Sequence, residues 1–273
     1  MKKHLAKFWV VTAGLLLIAA VPASTQDSVG LIERALAEFK WESVEAEGVC
    51  VHFKSGSFAE RHRHMLLRSA QVAVSEVLDF LGESEYNREL RLIYVDSREE
   101  MKELVGRPIT GSAVWTESGV FLVINPQWRS FEKHEITHVV TMGVWGSPEP
   151  TSRWMIEGIS ISCDGWCREY SIDEIAHHLL SHDELPPLPE LFDNFRSLGE
   201  IRGGVYAASI IGFIRTTYGT DAVRKLWTDG TRDVSSSVGA TIEEIDTRWK
   251  QHLEQTVGDV EVDYDVIKDN GCG

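Results

Sequence analysis

His134, Glu135 and His138 stand in an H-E-x-x-H pattern. On a helix, histidines four residues apart face the same side, so two neutral imidazoles can hold one zinc ion. Glu135 sits beside them, where its carboxylate can take the proton of a water at an open metal position. Glu157 follows after 18 intervening residues, within Trp154-Met155-Ile156-Glu157-Gly158. A carboxylate buried among such apolar neighbours is costly without a cation, and a zinc ion supplies one. The residues thus point to one Zn2+ held by His134, His138 and Glu157 with a fourth position free, and to Glu135 as the general base of peptide-bond hydrolysis. Two ordinary surface histidines and a solvated glutamate are the alternative reading.

Two helices must position these groups. Ser130 is placed to cap the first, Glu132 lies in its favourable first turn, and Val139, Val140 and Met142 continue its apolar character, which predicts a helix over 131–142. Ser152 is placed to cap a second helix over 152–163 that carries Glu157, and Gly158 allows the two helices to approach closely. Upstream, apolar spacing predicts a helix from Phe58 to Leu81, a strand over Leu90–Val95 feeding a helix that starts near Ser97, and a hairpin of Ser112–Thr116 with Val120–Ile124. A further short hairpin is expected around Val49, Val51 and Phe53. The outer strand of the 112–124 hairpin borders a cleft in this reading and can pair with an extended peptide. Helices are expected at 172–180, 204–217, 220–228 and 241–256, and an edge strand in the alternating tail from Asp259 to Asp265.

The length of 273 residues suffices for one large domain or two small ones, and 43% hydrophobic residues indicate a globular chain. Lys2, Lys3 and Lys7 precede a 14-residue apolar run, Phe8 to Val21, sized for a secretory signal rather than a membrane span. Cleavage is expected near Ala23, and an uncleaved anchor is the alternative. The expected organisation is a signal peptide over 1–23, an N-terminal α/β part over 24–145, a helical part over 146–258 and an acidic tail over 259–273. Localisation is then secreted or periplasmic, with no stable membrane insertion after cleavage. Loss of residues 1–23 removes three lysines and no acid, taking the net charge from -15 to -18. Such a surface repels a phosphate backbone, so nucleic acid is not an expected partner; a peptide or protein substrate is. An oxidising compartment favours disulfides among the four cysteines. Proximity suggests Cys163 with Cys167 and Cys50 with Cys272, although four cysteines allow three pairings and a thiolate zinc site competes.

H-E-I-T-H, the 18-residue gap and W-M-I-E-G resemble the zinc-binding core of gluzincin metallopeptidases, particularly the compact bacterial peptidase MA-like group. The segments Tyr206–Ile214, Tyr218-Gly219, Ile242–Ile245 and Trp249 are similar to the C-terminal half of that group, so the resemblance covers about residues 88–256. It implies an α+β fold, with a mixed sheet whose edge strand lies over the active-site helix and a mainly helical C-terminal portion. It places His134, His138 and Glu157 on the metal, Glu135 as base, and Tyr206 as donor to the tetrahedral oxyanion; helix packing is the other reading of Tyr206. The aminopeptidase branch carries G-x-M-E-N, whereas the corresponding strand here begins Gly111-Ser112-Ala113-Val114-Trp115. An endopeptidase or processing protease is therefore expected. A non-catalytic extracytoplasmic module retaining the same core is the alternative.

His177, His178 and His182 form a second cluster whose surface reading is preferred, because spacing alone does not close a metal sphere. His62 and His64 point apart on a helix and do not share an ion. Trp115, Trp128 and Trp154 are candidates to line a peptide cleft or to complete the core.

Overall fold

A computed structural model describes residues 30–127 and 131–272. The expected signal peptide, Trp128 and the proposed capping residue Ser130 lie outside the described residues. The N-terminal elements are α1 (Leu31–Glu38), β1 (Glu42–Ala46), β2 (Val49–Phe53), α2 (Phe58–Leu81), β3 (Leu90–Val95), α3 (Arg98–Val105), β4 (Gly111–Val114), β5 (Gly119–Val123) and α4 (Glu132–Trp145). There follow α5 (Trp154–Asp164), the two-residue strands β6 (Trp166–Cys167) and β7 (Tyr170–Ser171), α6 (Ile172–Ser181), α7 (Leu188–Asn194), α8 (Glu200–Tyr218), α9 (Thr220–Asp229), α10 (Val234–Val238), α11 (Ile242–Thr256) and α12 (Tyr264–Asn270). The class is α+β, with a mixed five-stranded sheet followed by a mostly helical remainder.

The strand order is β1-β2-β3-β5-β4. β2, β3 and β5 run parallel, and the two outer strands pair antiparallel with their neighbours. β3 and β5 are nearly continuous apolar runs because parallel inner strands are covered on both faces. Val51, Leu92, Tyr94, Val120 and Leu122 meet α2 and α4 on one face. Ile93, Val95, Phe121 and Val123 meet α1 and α3 on the other, as period-two alternation requires. The long helix α2 begins at Ser57, whose hydroxyl accepts the Glu60 amide, and ends at Gly82 in the left-handed conformation. The apolar core on the α2 face continues without a break into α5, α6, α8, α9 and α11.

Gly158 does provide a close approach, but to α8 rather than α4. A Cβ there would lie 2.9 Å from the Ala207 Cβ and 2.6 Å from the Ile211 Cδ1. Ser152 is not the cap of α5: it sits in a preceding 3-10 turn and its hydroxyl donates to the Leu226 carbonyl, tying the start of α5 to α9. The tail is no edge strand. Residues 257–263 are irregular, and Asp263 accepts the Val266 amide to cap α12. The cysteine pairing also differs from the proximity expectation. Cys167 is bonded to Cys272 across 105 residues, while Cys50 and Cys163 are free. Gly165 turns the chain after α5, so that Cys163 faces Thr137 on α4 whereas Cys167 faces the tail. Arg168 Nε donating to the Gly271 carbonyl, and the Asp263 amide donating to the Tyr170 hydroxyl, bind the tail to the β6–β7 hairpin.

Candidate metal centre

α4 and α5 pack side by side and antiparallel, since Asp164 approaches His134 while Ser160 approaches His138. The Nε2 atoms of His134 and His138 are 3.1 Å apart, with their rings nearly perpendicular at 87°. Glu157 Oε2 lies 3.4 Å from the first and 3.7 Å from the second. These three donors form a group whose ligand atoms all lie within 4.8 Å of one another, and it is the one such group among the described residues. Sequence spacing and structure therefore bring the same three residues together.

Glu157 is half-buried rather than enclosed by its apolar neighbours. Trp154, Met155 and Ile159 turn into the core, while the Glu157 side chain keeps 44% of its surface exposed. Ser160 and Asp164 share its face of α5, spaced three and seven residues on, and were not anticipated. The Ser160 hydroxyl lies 3.3 Å from the Ile156 carbonyl and 3.0 Å from His138 Nδ1. Its single hydrogen goes to the carbonyl, so its oxygen accepts from Nδ1–H and leaves the His138 Nε2 lone pair facing the cluster. Asp164 Oδ2 lies 3.7 Å from His134 Nδ1, a carboxylate behind the other ring. Carboxylate or hydroxyl support behind each imidazole fixes tautomer and orientation.

Charge in the cluster also calls for a cation. Burial pulls the His134 pKa down, but Asp164 and Glu157 outweigh it and raise it to about 10. Burial, then the neighbouring His134 charge, lowers His138 to about 4. Burial pushes Glu157 up, yet the two imidazoles hold it below the ordinary carboxylate range. The cluster thus retains one positive charge between two rings and a carboxylate, where a divalent ion would be favoured still more. The donor set, two imidazoles and one carboxylate, could hold a metal ion.

The Glu135 carboxylate lies against β4, beside Gly111 and Ala113, and still feels the charges of His134, Glu157 and Asp164. Burial raises its pKa to about 7; His134 opposes the rise, Glu157 and Asp164 add to it, and the Ala113 backbone hydrogen bond lowers it. Tyr206 is elsewhere. Its ring is fully buried and stacks on Trp249 with centroids 5.2 Å apart, and its hydroxyl donates to the Pro186 carbonyl at 3.1 Å. Of the two readings of Tyr206, these contacts are those of a helix-packing residue whose hydroxyl proton goes to a backbone carbonyl. Trp154 is likewise core, stacked on Phe192, whereas Trp115 at the end of β4 is 40% exposed. The His178 and His182 rings are tilted at 30° with centroids 4.2 Å apart, and among the described residues neither belongs to a group that could hold a metal. No protein-family model and no curated protein matches the chain.

Proposed function

We propose that the protein is an exported zinc-dependent peptidase of gluzincin type, cutting within peptide chains or processing a protein substrate. The observation that carries this reading is the convergence of His134, His138 and Glu157 with Glu135 next to them on the same helix. A divalent ion bound there would supply Lewis acidity to a carbonyl and to water. His134, on losing its proton, and His138 would hold the ion through their imidazole nitrogens, and the Glu157 carboxylate would neutralise part of its charge. Glu135, with a pKa near neutrality, takes the proton of the attacking water on its carboxylate and returns it to the leaving amine. The edge strand β4 offers main-chain groups beside this carboxylate for an extended peptide. Export is supported by the basic and apolar N-terminal sequence and by the Cys167–Cys272 disulfide, and no helix among the described residues is long and apolar enough to cross a membrane.

Cleavage of a peptide library by the purified, zinc-loaded protein tests the proposal. Turnover that disappears on chelation and falls at least 100-fold in Glu135→Gln is expected. Equal cleavage by both proteins, indifferent to chelator, would overturn it. The commitment of Tyr206 to the core favours a second reading, a zinc-holding extracytoplasmic binding module without turnover. Stoichiometric zinc with no cleavage across the library would select that reading.

A further inference from the structure

We propose that Gly111 is a positioning residue for Glu135: the space left by its missing side chain is the seat of the Glu135 carboxylate. A Cβ built at residue 111 would stand 2.4 Å from Glu135 Oε1 and 2.9 Å from both its Cδ and Cγ. Nothing else requires a glycine there. The φ of Gly111 is outside the left-handed region, and an extended edge strand ordinarily prefers a larger residue. The pairing of β4 explains the geometry. Thr110 accepts the Val123 amide, so residues 110, 112 and 114 turn their main-chain groups to β5 while those of 111 and 113 face the open edge. Ala113 shares the open-edge phase and its backbone hydrogen-bonds the carboxylate. Residues 111 and 113 also turn their side-chain positions to the face occupied by α4, where only small residues let Glu135 pass beneath the strand. The strand therefore holds the base at two points, an amide at 113 and an empty volume at 111, and a methyl group at 111 drives the carboxylate out of reach of that amide.

The catalytic half of this inference rests on the peptidase reading; the structural half does not. A crystal structure of metal-loaded Gly111→Ala should show the Glu135 carboxylate displaced by about 1 Å or more, with His134, His138 and Glu157 unmoved. In kinetics, a misplacement of that size should cost roughly 10- to 100-fold in kcat with KM and metal content unchanged. Glu135→Gln combined with Gly111→Ala should be no slower than Glu135→Gln alone, because both act through one group. Should Gly111→Ala not fold, Gly111→Ala with Glu135→Ala must fold, since the second substitution removes the atoms that the new methyl meets. An undisplaced carboxylate, multiplying losses in the double variant, or a double alanine variant that still does not fold would each overturn the proposal. If the wild type cleaves no peptide, the peptidase reading falls, and the position of the carboxylate alone decides the seat.

Discussion

Metal binding to this cluster should expel a proton, and the pH dependence of affinity measures it. The Nε2 atoms of His134 and His138 are 3.1 Å apart, so the two rings cannot both be charged. With pKa values of about 10 and about 4, the metal-free pair carries one proton through the neutral range. An ion that needs both lone pairs must displace it. Between pH 7 and pH 9 the apparent affinity should rise about tenfold per pH unit, roughly 1.4 kcal/mol each, or about 100-fold in all. Below pH 7 the slope should steepen, because a bound cation also lowers Glu135 from about 7. Calorimetry in two buffers of different ionisation heat counts the protons, and competition with a chromophoric chelator gives the affinity. The same linkage fixes a sign for stability. His134 has a folded pKa above its unfolded value, so it stabilises the metal-free protein below about pH 6.5, and that contribution is lost as pH rises toward 10. The gap in Tm between metal-loaded and metal-free protein should therefore widen from pH 6.5 to pH 9. Affinity that stays flat from pH 7 to pH 9 would refute the charge assignment.

Removing the support behind either ring should weaken the site without removing a ligand: Asp164→Asn and Ser160→Ala should each lower metal affinity by about 10- to 100-fold, about 1.4–2.8 kcal/mol, in equilibrium titrations at pH 8. Tyr206→Phe should leave kcat within about twofold and cost about 1 kcal/mol in urea unfolding, the worth of the hydrogen bond to Pro186; a loss of about 100-fold or more in kcat would restore Tyr206 as oxyanion donor. Gly158→Ala should push α5 off α8, costing about 1–3 kcal/mol and weakening metal binding through the adjacent Glu157, measured by Tm with and without zinc. Reduction of Cys167–Cys272 should cost up to about 5 kcal/mol, since the bond closes a loop of 105 residues in the unfolded chain; an unchanged urea midpoint would show that the tail is held by packing alone.

The elements that sequence resolved are those whose signal is local. α2 spans the expected Phe58–Leu81 because Ser57 caps it, Gly82 ends it and a stripe of seven buried residues between them keeps helical spacing. β3 and the α11 capping box of Thr241 with Glu244 are legible for the same reason. α7 and α10, of seven and five residues, are too short for a period to emerge. The tail misled because Val260, Val262 and Tyr264 alternate as a strand does, yet a strand needs a free edge beside it. The edges of the main sheet belong to β1 and β4, and the tail lies instead against α6 and the β6–β7 hairpin. The disulfide was hidden by the same long-range geometry, for it joins residues that meet only after α6 to α12 have folded between them.

The site divides along the same line. Two histidines on one helix are readable because a single ion must see both from one face, and Glu157, Ser160 and Asp164 were readable in principle because they share a face of α5. Tyr206 carried a contrary signal in its surroundings. Val205-Tyr206-Ala207-Ala208-Ser209-Ile210-Ile211 is apolar almost all round, which marks a helix enclosed by its neighbours, and a tyrosine in such a helix has to spend its hydroxyl on the nearest backbone carbonyl. Gly111 carries no signal of any kind. A glycine in an edge strand reads as a weakness, and only the carboxylate arriving from a helix 24 positions later turns the absent side chain into a requirement. The proposed metal ligands are thus written as a motif, whereas the groups proposed to aim the base depend on how closely β4 and α4 pack, which no local spacing encodes.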